Sequence, residues 1–262
     1  MNQVSTVTKI SAPTIASSSI DEGHRTRAMP FGNALIKLAE THPEIVGMSA
    51  DLAKYTDMHI FAEAYPDRFY QMGMSEQLMA VAAGGLAKEG FVPFATTYAT
   101  FASRRCYDFM SQAVAEQDAS VKLIGGLPGL TTGYGPSHQA TDDIAIFRAM
   151  PNMVVIDPCD AHEIEQMVPA IAEYHGPVYA RILRGNVAVV LDEYGYRFDA
   201  VDTPECPMTM NVPQPDGARV MTDIRTLPFV RFEDNESHFH RRHAFNLVGK
   251  DAELKGSVTG VG

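Results

Sequence analysis

The residues of this 262-residue chain best suited to chemistry lie in FYQMGMSEQLMAVAAGGLAKEG, residues 69–90. Glu76 follows a glycine-containing loop at the end of an apolar, strand-like run and opens an Ala/Gly-rich helical stretch. An acidic residue in a first helical turn is favourable against the helix dipole, and most such residues do nothing more. A carboxyl sheltered at a strand end has a second option. Desolvation lets it hold or share a proton near neutrality, as general acid–base work requires. Ala82, Ala83, Gly84 and Gly85 would let another backbone approach this helix closely, although tight core packing uses the same residues.

The elements that must position Glu76 follow from periodicity. Residues Pro30 to Thr41 carry Phe31, Ala34, Leu35, Leu38 and Ala39 at helical spacing. Strand-like runs occur at 44–50, 68–73, 91–97, 121–127, 153–157 and 177–183. Helices are predicted from Ser75, as cap, through Lys88, and over 101–117, 142–150 and 161–174. Strands alternating with helices predict a doubly wound α/β fold, a mainly parallel six-stranded sheet with helices on both faces. Ligands bind such sheets at the carboxyl ends of the strands. SADLAKYT, GMSEQ, TYATF and GLTTGYGPSHQ all fall at such ends, and their convergence points to an active site.

Composition narrows the classes. A net charge of −11 without a basic run argues against nucleic acid and anionic membrane surfaces as partners. Three separated cysteines, Cys106, Cys159 and Cys206, with no CxxC pair, fit a reducing cytoplasm rather than a disulfide framework. No apolar run reaches membrane-spanning length. Residues 1–25, rich in Ser, Thr and Ala, read as a flexible N-terminal arm, and 26–198 as the α/β domain. Residues 199–262 read as an irregular appendage, since TPECPMTMNVPQPDG has four prolines in fifteen residues. HFHRRH (238–243) lacks Cys or acidic partners for a metal, so a solvated tail is expected there.

The segment F-Y-x-M-G-M-S-E-Q-x-M-x-x-x-A-x-G-L-A-x-x-G resembles the cofactor-activating segment of transketolases and deoxyxylulose-phosphate synthases. The resemblance covers Thr26 to Phe198, about two thirds of the chain. It includes SADLA (49–53), P-F-A-x-T-Y-A-x-F (93–101), G-P-S-H-Q (135–139), I-x-R-A-x-P-N-M-V-V-x-x-P-x-D (146–160) and R-G-N (184–186). It implies the pyrimidine-binding domain of a thiamine-diphosphate enzyme that moves a two-carbon ketol unit from a ketose or ketose phosphate to an aldose. Glu76 would then hydrogen-bond the aminopyrimidine and favour the tautomer that deprotonates the thiazolium carbon. Phe101 would stack on the pyrimidine with Tyr98 beside it, and Asp51 would lie near the thiazolium. His138 would contact the donor sugar, with Gln139 assisting, and Arg184 would hold a substrate phosphate. Taken singly, these residues have plainer readings: core aromatics, a helix cap, a loop histidine and a surface ion pair.

The sequence also departs from the family pattern. Tyr134 stands where many transketolases carry an acid that reads a sugar hydroxyl, and Gly126 where some carry a phosphate-contacting histidine. The FASRRCYDF loop is one residue longer than in the synthases, so the resemblance assigns no role to Arg104 or Arg105. No GDG motif with a downstream Asn occurs. The resemblance therefore implies that a partner subunit holds the diphosphate and Mg2+, in a dimer or heterotetramer. Two alternatives within the same chemistry are a deoxyxylulose-phosphate synthase and a 2-oxo acid dehydrogenase beta-type subunit. A third is a non-catalytic domain that only binds a partner.

Overall fold

The computed structural model describes residues 25–198, together with the short segments 209–213 and 219–223. The main body begins with β1 (Thr26–Ala28), α1 (Pro30–Ala39), β2 (Ile45–Ser49), α2 (Met58–Ala64) and β3 (Phe69–Gln71). It continues with α3 (Glu76–Lys88), β4 (Val92–Tyr98), α4 (Ala99–Arg104), α5 (Tyr107–Met110) and β5 (Lys122–Gly126). Then follow α6 (Asp143–Arg148), β6 (Val154–Ile156), α7 (Ala161–Glu173), β7 (Val178–Ile182) and β8 (Asn186–Ala188). Six strands form one sheet in the order β3-β2-β4-β5-β7-β6, and every pairing in it is parallel.

Both faces of this sheet are buried, which is why its strands are near-continuous apolar runs. Successive side chains still part to opposite faces. Phe94 and Ile124 pack with Phe31, Leu35, Phe61, Ile164 and Met167 beneath α1, α2 and α7. Ala95 and Leu123 pack with Met79, Ala83, Met110, Val114 and Phe147 beneath the helices of the other face. Gly84 of α3 is a true close approach, since a Cβ there would meet the carbonyl oxygen of Ala113 at 2.5 Å. No helix among the described residues is long and apolar enough to cross a membrane.

Two expectations need correction. The helix predicted over 101–117 breaks at Cys106 (φ −113°, ψ 15°) into α4 and α5, followed by a wider π turn over Ser111–Ala115. That turn carries the Ala113 carbonyl seated on Gly84. Ser75 precedes α3, but its side chain makes no capping bond. The appendage after Phe198 contains an antiparallel hairpin, β9 (Thr209–Pro213) with β10 (Arg219–Asp223). Proline is tolerated at the end of such a ribbon. The expected N-terminal arm, Cys206 and HFHRRH lie outside the described residues.

A buried cation anchors the sheet at the edge opposite the loops of interest. Lys122 is fully buried, and its Nζ donates to the carbonyls of Tyr174 and Gly176, each at 2.7 Å, and to Ser120 Oγ at 3.1 Å. It thereby satisfies carbonyls just beyond α7. Burial pushes its pKa down from 10.5 to about 7. The unfolded chain thus binds more protons than the folded one between those values, and this group makes stability rise with pH across that window. Lys122→Met should cost about 1–3 kcal/mol by orphaning the carbonyls. Thermal unfolding of both proteins from neutral pH upward should show the wild type gaining relative to the variant.

Candidate active site

Strand order reverses about β2: the chain leaves it for β3 on one side, then returns to β4 on the other. Such a switch point opens a crevice at the carboxyl ends of the strands, and the chemically interesting loops flank it. The backbone there is unusual. Asp51 after β2 and Leu127 after β5 both take left-handed conformations, φ 59° and 52°, the kind of local cost that clusters at functional sites.

Glu76, the first residue of α3, is only 2% exposed. Its Oε1 accepts a hydrogen bond from Arg105 Nη1 at 2.9 Å. The same guanidinium lies over the Phe101 ring, its carbon 3.8 Å from the ring centroid. The helix break at Cys106 sets this geometry, because Arg105 sits just beyond the last turn of α4, which begins with Ala99. Cys106 lies beneath, fully buried, with its thiol donating to the Ala102 carbonyl. Burial, reinforced by the Glu76 charge, pushes that thiol up to about 12, so it is no nucleophile.

Aromatic rings extend the site from Phe101. Tyr98, the last residue of β4, stacks with it at 5.7 Å between centroids. His138 stands edge-on to both, 5.3 Å from Phe101 and 6.0 Å from Tyr98. Tyr134 tilts against His138 at 5.4 Å but is 61% exposed. Burial raises the Tyr98 phenol to about 12, so it remains a neutral hydrogen-bonding group at physiological pH. Tyr55 meets Tyr98 edge to face at 5.9 Å, and the Arg184 guanidinium lies over Tyr55 at 5.1 Å. One unbroken series of contacts therefore joins Glu76, Phe101, Tyr98, His138 and Arg184.

The remaining two expected residues stand apart from that series. Asp51 is exposed, and its amide donates to Gln71 Oε1 at 2.8 Å, as does that of Gly73 at 3.2 Å. Gln71 thus ties the loop after β2 to the loop that leads to Glu76. Gln139 does not bond His138. Its amide donates to the Thr132 carbonyl at 3.2 Å, while Ser137 Oγ shares a hydrogen bond with His138 Nδ1 at 2.9 Å. At Gly126 a side chain would meet Thr56 Cγ2 at 2.8 Å, so the glycine is required by packing.

Sequence reasoning missed Arg105 and Asp57. Asp57, also left-handed (φ 57°), accepts the Gly185 amide at 2.9 Å and fixes the turn that carries Arg184. Burial raises its carboxyl pKa, opposed by the Gly185 amide, His59 and Arg184. Its left-handed backbone leaves no mark in the sequence. Arg184 Nε is buried and has no hydrogen-bond partner among the described residues, which leaves a donor for an anionic group.

A family model for the transketolase pyrimidine-binding domain matches residues 25–189, more than half of the chain. The chain belongs to that family. A transketolase family protein of Sinorhizobium fredii is 66% identical over 174 residues, 66% of this chain and 50% of the relative. A transketolase C-terminal section of Methanocaldococcus jannaschii is 39% identical over 163 residues, 62% of this chain and 52% of that one. Among solved structures, a split-gene transketolase described as an inactive β4 tetramer is 38% identical with a TM-score of 0.58. The match covers 65% of this chain and 55% of that one. This transketolase-family chain therefore spans about half the length of such relatives.

A buried ion pair holds the loop that carries His138. The loop closes at a bridge between Gly129 and Ala140, and the Ala140 carbonyl accepts from Arg181 Nη2 at 3.3 Å. Arg181 makes a two-pronged contact with Asp143, Nε at 2.8 Å and Nη2 at 2.5 Å, and Tyr179 Oη donates to the same carboxylate. Asp143→Ala would remove the two-pronged partner of this guanidinium, leaving Asp157 Oδ2 at 3.3 Å from Nη1, at a cost of about 1–3 kcal/mol. Urea unfolding should show a lower midpoint with an unchanged slope. A midpoint equal to that of the wild type would show that Asp143 is dispensable.

Proposed function

We propose that this chain is the aminopyrimidine-binding half of a thiamine-diphosphate-dependent ketol-transfer enzyme, with a separate partner chain holding the diphosphate and Mg2+. The observation that carries the reading is a buried carboxyl and a stacking ring already bridged by one flat N–H donor. The Arg105 guanidinium lies on Phe101 at 3.8 Å and donates to Glu76 at 2.9 Å. An aminopyrimidine is likewise flat and nitrogen-rich, so the residues present fit it. Bound there, the cofactor supplies an electron sink for a two-carbon carbanion.

The chain's own residues have separable tasks in this scheme. Glu76 shares a proton with a pyrimidine nitrogen, and its burial keeps water from competing. Phe101 orients the ring by stacking, backed by Tyr98. His138, held by Ser137, faces the donor sugar, and Arg184 offers its unspent Nε to an anionic substrate group. Gln139 keeps the histidine loop in shape, and Asp51, exposed at the lip of the site, would lie near the thiazolium. Tyr134, in place of an acid, favours a ketose other than the standard pentose phosphate.

A partner chain is supported by the outer face of α3. Met74, Leu78 and Val81 are 79%, 54% and 45% exposed, and space is open around Gly85. Leu78, Val81 and Gly85 share one side of the helix, and Met74 lies just before its start. An apolar face that ends at a glycine suits close packing by another helix, and Glu76 begins the same helix. The half-length match to relatives and the inactive β4 tetramer of the split-gene transketolase also suit a chain that works only with another kind of chain.

In the assembled enzyme, Glu76→Gln should lower the kcat for two-carbon transfer from a ketose donor by about 10²- to 10⁴-fold, while assembly and thermal midpoint stay near the wild type. Undiminished turnover would contradict the role given to Glu76.

A further inference from the structure

The pyrimidine-binding reading leaves Arg105 without a task, and its two contacts supply one. We infer that Arg105 is a latch, its guanidinium standing in the place of the aminopyrimidine and leaving Glu76 and Phe101 before the cofactor can bind. The inference rests on the cofactor reading given above. Its geometric basis is mutual exclusion. A planar group 3.8 Å above Phe101 occupies a stacking face of that ring, and the bond at 2.9 Å occupies Glu76 Oε1.

The two partners differ in freedom. The Glu76 side chain is 3% exposed and fixed at the start of α3, whereas the Arg105 side chain is 46% exposed. The guanidinium can therefore swing into water on its long stem while the carboxyl stays. A buried carboxylate stripped of its donor would be costly. Exchange of the arginine N–H for a donor on the cofactor ring avoids that cost, so opening and binding are coupled. In the cofactor-free chain the latch keeps Glu76 paired and Phe101 covered.

The neighbouring arginine cannot take over. Arg104 is held in a two-pronged contact with Asp142, Nη2 at 2.9 Å and Nε at 3.2 Å. The end of α4 thus carries one arginine turned to Asp142 and one turned to the site.

The test is calorimetric titration of thiamine diphosphate with Mg2+ into the full chain assembled with its diphosphate-binding partner. A closed latch lowers apparent affinity by the fraction of molecules that are open. Arg105→Met should therefore bind the cofactor roughly three- to tenfold more tightly than the wild type. Arg105→Lys, which keeps a charge for Glu76 but loses the flat stack, should fall between them, and Arg104→Met should match the wild type. Unchanged or weaker affinity in both Arg105 variants, with assembly intact, overturns the latch alone. Absence of binding by the assembled wild type overturns the cofactor reading and the latch with it.

Discussion

The site is organised by a carboxyl held out of water. Glu76 is 2% exposed at the start of a helix, and a buried carboxylate is tolerable only with a well-placed donor. That donor comes from a different element, just past the last turn of α4, and is aimed by a break in the chain at Cys106. The break comes just before the π turn whose Ala113 carbonyl rests on Gly84. Packing between α3 and this turn, donor placement and Glu76 chemistry therefore form one linked constraint. A bulkier residue at position 84 would disturb all three.

The remaining groups are held by strand ends, a short helix and pinned loops. Tyr98 ends β4, and Phe101 lies within the helix that follows at once. The His138 loop is long, but its base is pinned by Arg181 and Asp143 beneath the sheet edge. Arg184 is fixed through the Asp57–Gly185 bond and through the β1–β8 pairing beside it. Preorganisation of this kind would place reacting groups without an ordering cost.

Much of the fold was legible in the chain, since the buried strands are apolar runs punctuated by turn residues. The run at 121–127 became Lys122–Gly126, and the run at 177–183 became Val178–Ile182. The placement of β7 between β5 and β6 is a long-range choice that periodicity does not encode. The helix expected over 101–117 is interrupted at Cys106 and widens into a π turn where Ala113 meets Gly84, neither of which local periodicity marks. For the site, spacing marked Glu76 and the convergence of loops, while the tasks of Phe101, His138 and Arg184 came from family resemblance. Arg105 could not be read at all, because Arg104 and Arg105 are adjacent and only the break at Cys106 decides which of them turns inward. Asp57 escaped because its partner, Gly185, lies far along the chain.

The central claim is that this chain supplies one side of a cofactor site whose other side belongs to a partner. The most direct measurement compares thiamine-diphosphate binding, in the presence of Mg2+, by the chain alone and by the chain mixed with its diphosphate-binding partner. The account predicts tight, magnesium-dependent binding only in the mixture. Tight magnesium-dependent binding by the chain alone would contradict it.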